Sequence, residues 1–144
     1  MVNTVAVGTD GSDTAARAVA FAIDLAKRYE ARLVAISCYQ PVDELQVRHH
    51  QEDAPQEIQW AINREQDVET TLAQVESHAH AAGLEVTSVA SQGNPADVLV
   101  KYASEQGADV LVVGNKGMRR RILGSVPNSV AHKADCSVVI VKTT

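Results

Sequence analysis

Aromatic residues are nearly missing from this chain: one Trp, one Phe and three Tyr make up 3% of its 144 residues. A core of stacked rings is thereby excluded, and the apolar 45% of the chain must pack largely as Ala, Val, Leu and Ile. Cysteine is equally scarce. Cys38 and Cys136 lie far apart with no C-x-x-C spacing, which excludes a thioredoxin-type dithiol and a structural zinc site and leaves both as small core residues. Surplus positive charge is lacking too. With 13 Lys and Arg against 18 Asp and Glu the formal charge is −5, whereas a sequence-independent nucleic-acid binder needs a basic face to meet phosphates. No apolar run is long enough for a membrane span, and the chain opens on a strand-like segment rather than the basic and then hydrophobic regions of a signal peptide. The expectation is a cytoplasmic protein with neither a nucleic-acid nor a membrane partner. At 144 residues it forms one domain, 1–144, with no internal repeat or low-complexity linker.

What is present is a regular alternation of two periodicities. The run from Val2 to Val7 ends at Gly8 and reads as a strand; beyond Ser12 the apolar positions Ala15, Val19, Ala22, Ile23 and Ala26 step by threes and fours, as one face of a helix does. Ser12 or Asp13 is placed to cap that helix. Leu33 to Ile36 is apolar throughout, which suits a strand covered on both faces. Gln40 to Glu57 is polar, bracketed by Pro41 and Pro55, and reads as a loop. From Ile58 to Ala82 an amphipathic pattern predicts a long helix stopped by Gly83. A strand over Glu85–Ala90, a helix capped by Asn94-Pro95 and ending near Gly107, a strand over Val110–Val113, a short helix after Ser125 and a strand over Val138–Val141 follow. The order is β-α-β-α-β-α-β-α-β. Right-handed crossovers then give an α/β fold, a doubly wound parallel sheet with helices on both faces.

In such a sheet ligands bind beyond the carboxyl ends of the strands where strand order reverses, so the loops after the first and fourth strands matter most. The first, Gly8-Thr9-Asp10-Gly11-Ser12, sets one carboxylate between two glycines; it is either a ligand acceptor or simply a tight turn with a helix cap. The second runs from Gly114-Asn115-Lys116-Gly117 through Arg119-Arg120-Arg121 to Gly124-Ser125-Val126. Gly114 and Gly117 allow close backbone approach, and Gly124-Ser125 opens a helix whose first amides and dipole favour an anion such as a phosphate. Lys116 and Arg119 to Arg121 add attraction, though adjacent arginines diverge, at most one or two can reach a phosphate, and exposed charge is the favoured reading of any single one. Neither G-x-x-x-x-G-K-[ST] nor a G-x-G-x-x-G after the first strand occurs, which disfavours P-loop NTPases and dinucleotide dehydrogenases.

Taken together, Val7-Gly8-Thr9-Asp10-Gly11-Ser12, the Gly-x-x-Gly after the fourth strand, the Gly-Ser-Val opening the last helix and the terminal strand resemble the universal stress protein family over the whole chain. The resemblance implies a Rossmann-like five-stranded sheet of order 3-2-1-4-5 and dimerisation through the fifth strand. It implies an adenine nucleotide as cofactor, ATP foremost with AMP or cyclic AMP as alternatives, and Mg²⁺ carried on the phosphates. Asp10 would meet the adenine or ribose and the backbone at Cys38 would border the adenine. Gly114, Gly117, Gly124 and Ser125 would surround ribose and phosphates, with Thr9, Asn115 and Val126 completing the set. One departure stands out: six residues, 118 to 123, separate Gly117 from Gly124 where the family's nucleotide-binding pattern has nine. The shorter loop has less slack to wrap a triphosphate. The expected role is a stress-response regulator read by a protein partner that the sequence does not name. The alternatives are a nucleotide-free dimeric signalling module of the same fold and a slow ATPase using Asp10 or Asp13.

Other polar residues have plainer readings. His78 and His80 face different sides of a helix and cannot share a metal. His49, His50, Glu52 and Asp53 lie in the polar loop, His132 complements a helix C-terminus, and Trp60 packs at the start of the long helix. The apolar run Val138–Val141, if it forms a sheet edge, leaves main-chain groups for a partner with only Lys142 as blunting charge. An antiparallel pairing of 138–142 with a second copy is therefore expected.

Overall fold

A computed structural model describes residues 1–39, 65–115 and 125–143. Along them alternate β1 (Thr4–Gly8), α1 (Asp13–Tyr29), β2 (Arg32–Tyr39), α2 (Glu65–Ala81), β3 (Val86–Gln92), α3 (Pro95–Glu105), β4 (Val110–Gly114), α4 (Ser125–Lys133) and β5 (Ser137–Val141). Every strand pair is parallel and the sheet order is β3-β2-β1-β4-β5. The polar loop from Gln40, the segment Ile58–Arg64 with Trp60, and Lys116–Gly124 lie outside the described residues.

Side-chain alternation along the strands divides the core into two layers. Val5 and Val7 of β1 join Ala18, Ala22 and Ala26 of α1 and Val68, Leu72 and Val75 of α2 on one face. Ala6, between them, joins Leu99 of α3 and Val130 of α4 on the other. The alanines of α1 let that helix lie close to the sheet, which is how a chain almost without rings fills its interior. Among the described residues Leu33, Ile36, Leu99 and Leu111 are the largest fully buried side chains, each adding roughly 1.5–3 kcal/mol of apolar transfer.

The caps follow the local chemistry. Ser12 accepts from Ala15 N–H at 3.1 Å, and Asn94 accepts from Asp97 N–H at 3.2 Å ahead of Pro95. The strands differ in their bounds from the apolar runs that foretold them, most of all at β1, β2 and β3. β1 begins at Thr4 rather than Val2, and β2 continues beyond Ile36 through Ser37, Cys38 and Tyr39. Ser37 is polar yet fully buried, because its hydroxyl donates to Thr9 O at 2.6 Å and so carries no unmet hydrogen bond into the interior. β3 also runs on to Gln92, its outer position accommodating Thr87, Ser88 and Ser91.

Candidate functional site

The central strand is the first to leave the sheet. β1 pairs with β4 only from Val5↔Val110 to Val7↔Val112, and with β2 only as far as Gly8↔Ile36. Both neighbours run on: β2 to Tyr39, still paired with β3, and β4 to Gly114, still paired with β5. A slot therefore opens between β2 and β4, two inter-strand spacings or roughly 10 Å across.

Hydrogen-bond alternation fixes what faces this slot. Arg32 N–H donates to Asn3 O on the β1 side, whereas Leu33 N–H donates to Glu85 O on the β3 side, so even-numbered residues of β2 turn their main-chain groups towards β1. The last such bond is Thr9 N–H to Ile36 O, and Cys38 is the next even residue. On the other bank Asn115 N–H donates to Val141 O, so odd residues there point to β5 and Gly114 turns towards the vacated β1 position. Main-chain groups of Cys38 and Gly114 thus line opposite walls.

Asp10 stands at the floor of the slot where the chain turns into α1. Its Oδ1 accepts from Ser12 N–H at 3.0 Å and from Ser12 Oγ at 2.6 Å, and Gly11 N–H donates to Thr9 Oγ1 at 3.2 Å. This is the turn-and-cap arrangement that the sequence offered as the plainer of two readings. Gly11 has φ of +80°, and a β-carbon there would collide with Thr71 Oγ1 of α2, so only glycine brings Asp10 to this place. A groove of about 500 Å³ leads away from Thr9 and Gly11 between α1 and α2, as far as Lys27 and His78.

Of the remaining candidates, Ser125 is exposed as the first residue of α4, while Val126 is buried in the same layer as Cys38. Gly117, Gly124, Lys116 and Arg119 to Arg121 lie outside the described residues. The Cys38 thiol is inward, donating to Gly93 O, and burial pushes it up to about 11, so it is a neutral S–H near neutral pH and only its backbone is offered to the slot. Two residues that the sequence did not single out complete the walls. Ser37 occupies Thr9 O, and Thr143 holds Asn115: Thr143 N–H and Thr143 Oγ1 both donate to Asn115 Oδ1, at 2.7 and 2.9 Å. Their only signal was a hydroxyl residue placed within or just after an apolar run.

Among the described residues no three His, Cys, Asp or Glu side chains are grouped to hold a metal ion, and His78 and His80 are both exposed on α2. None of the described helices is long and apolar enough to cross a membrane.

Comparison with known proteins places this geometry in a family. The model of the Universal stress protein family matches residues 1–142. Universal stress protein Rv1636 of Mycobacterium tuberculosis H37Rv is 38% identical over 145 residues, covering 98% of this chain and 97% of that protein. A universal stress protein crystallised in complex with cAMP superimposes with a TM-score of 0.75 at 35% identity, covering 99% of this chain and 98% of the other. UspA from Lactobacillus plantarum, at 22% identity, shares the fold with a TM-score of 0.76 over 98% of each chain.

Proposed function

This chain belongs to the universal stress protein family, and from that membership we propose that it is a regulatory protein of the cytoplasm that binds an adenine nucleotide in the slot between β2 and β4. The observation that carries this reading is the pair of facing walls. A purine needs main-chain donors and acceptors along its edge, and Cys38 offers both on the β2 wall. A ribose needs an acceptor for its hydroxyls, which suits Asp10. Phosphate oxygens need amides at a helix start, which suits Gly124, Ser125 and Val126 at the entry to α4, with Gly114, Asn115 and Gly117 leading there.

The glycine frame leads to ATP as the expected ligand. Two considerations move the preference to a single phosphate. Gly117 and Gly124 are separated by six residues, which leaves little loop to follow a phosphate chain, and the relative at 35% identity was crystallised with cAMP. Cyclic AMP is therefore the proposed first ligand, followed by AMP and then ATP; Mg²⁺ matters only for ATP, through its phosphates. A second copy pairs along β5, and occupancy of the slot is read by a protein partner as part of a response to stress.

Titration calorimetry of the full chain with cyclic AMP, AMP, ATP with and without Mg²⁺, and cyclic GMP tests this. Saturable binding in the stated order, with cyclic GMP weaker, supports the reading. No heat with any adenine nucleotide defeats it, and ATP binding at least as tightly as cyclic AMP defeats the stated preference. Asp10→Ala weakens every adenine nucleotide if its carboxylate meets the adenosine.

A further inference from the structure

We propose that Thr143 is a positioning residue for the nucleotide slot, holding its β4 wall in place from just beyond the end of β5. The inference rests on the nucleotide reading above and adds a residue that does not touch the ligand.

Gly114 is the last residue of β4, and its main-chain groups face the slot. Nothing in its own side chain can fix its orientation. The next residue, Asn115, is 2% exposed, and its Oδ1 takes two hydrogen bonds from one residue, Thr143, itself 3% exposed. Asn115 N–H in turn donates to Val141 O at 3.0 Å. Segment 141–143 thus grips Asn115 through main chain and side chain together. The Thr143 methyl also lies over Gly114, Cγ2 being 3.3 Å from where a β-carbon on that glycine would stand. Rotation of the Gly114–Asn115 peptide, which would turn the wall's polar groups out of the slot, must break these buried bonds and displace that methyl. Leaving polar groups this deeply buried unmet is costly, so the clamp favours one orientation.

Wild type, Thr143→Val, Thr143→Ser and Asp109→Ala are compared for cyclic AMP affinity and for thermal unfolding without ligand. Valine keeps the shape and the main-chain bond but removes the hydroxyl; serine keeps the hydroxyl. Asp109 binds Asn3 and Thr4 at the opposite end of the sheet and serves as a destabilised control. The expected result is about fivefold weaker binding by Thr143→Val, the effect of one buried hydrogen bond. Thr143→Ser recovers to within about twofold, and Asp109→Ala unfolds at lower temperature with wild-type affinity. Equal affinity in wild type and Thr143→Val overturns the inference while leaving the nucleotide site standing. An equal loss in Asp109→Ala also overturns it, because the effect is then general stability. Failure of the wild type to bind any adenine nucleotide removes the site and the inference with it.

Discussion

Leu99 of α3 lies directly against the α-carbon of Gly8, the last residue of β1: a β-carbon on Gly8 would stand 2.7 Å from Leu99 Cδ2 and 3.3 Å from Leu99 Cγ. Glycine is required there for space, and the contact sets how closely α3 approaches the strand end beside the slot. Gly8→Ala must push the whole Leu99 side chain, not only a methyl, and overpacking of that kind costs about 1–3 kcal/mol. Leu99→Val also destabilises by opening a gap. The double variant is expected to be less destabilised than the sum of the two, by about 1 kcal/mol in a denaturant-unfolding cycle. Strict additivity would show that the two residues do not compete for that volume.

Asp109 supplies a pH dependence whose sign is fixed by its partners. Asn3 N–H and Thr4 N–H donate to one carboxylate oxygen at 2.8 and 3.0 Å, and these bonds hold its carboxyl below the ordinary aspartate value. A folded-state value lowered in this way contributes stability that is present above the unfolded value of roughly 4 and is lost as pH falls through the folded one. The gap in stability between wild type and Asp109→Ala is therefore expected to be constant from pH 7 to about 5 and to shrink steadily below about 4. Urea unfolding across that range checks it; a gap that widens on acidification contradicts the assignment.

Glu30 closes α1 in the left-handed region, with φ of 55° and its N–H donating to Ala26 O and Lys27 O. A side chain with a β-carbon is strained there, whereas glycine is not. Glu30→Gly relieves that strain and loses part of it to the greater freedom of the unfolded chain, for a net gain of about 0.5–1 kcal/mol. Calorimetric unfolding is expected about 1–4 °C higher than wild type. A lower melting temperature would show that the Glu30 side chain contributes more than its backbone costs.

What the sequence revealed and what it hid separate by chain distance. Asn94 was readable as a cap, and Ser12 as one of two candidates with Asp13, because each cap bonds an amide three residues on, and the layered sheet was readable because two and 3.6 are local periods. Gly8, Asp10 and Gly114 stood out in the loops after the first and fourth strands, and Cys38 entered only through the family resemblance. The slot itself did not stand out, since it exists because β2 and β4 both outlast β1, and the apolar run of β2 had ended at Ile36. β2 is carried onward by its pairing with β3, and the buried Ser37 fits that stretch because its hydroxyl reaches Thr9 O, 28 positions away. The grip of Thr143 on Asn115 spans the same distance and is equally invisible to any local pattern. Hydrogen bonds of this range are decided by the assembled sheet.

The edge of the sheet gives the sharpest test of dimerisation. Because Val141 O accepts from Asn115 N–H, the odd residues of β5 turn their main-chain groups to β4, and the even residues Val138 and Ile140 turn theirs outward. A proline at an outward position deletes only an edge donor, which strands tolerate, whereas a proline at an inward position cuts the ladder to β4. If β5 pairs with its copy, Ile140→Pro is expected to fold, with some loss of packing from this partly buried side chain, and to run as a monomer in light scattering. Val139→Pro, one residue away, is expected to lose the β4–β5 ladder and unfold readily. A wild type that is monomeric, or an Ile140→Pro variant that remains dimeric, would place the partner surface somewhere other than this strand.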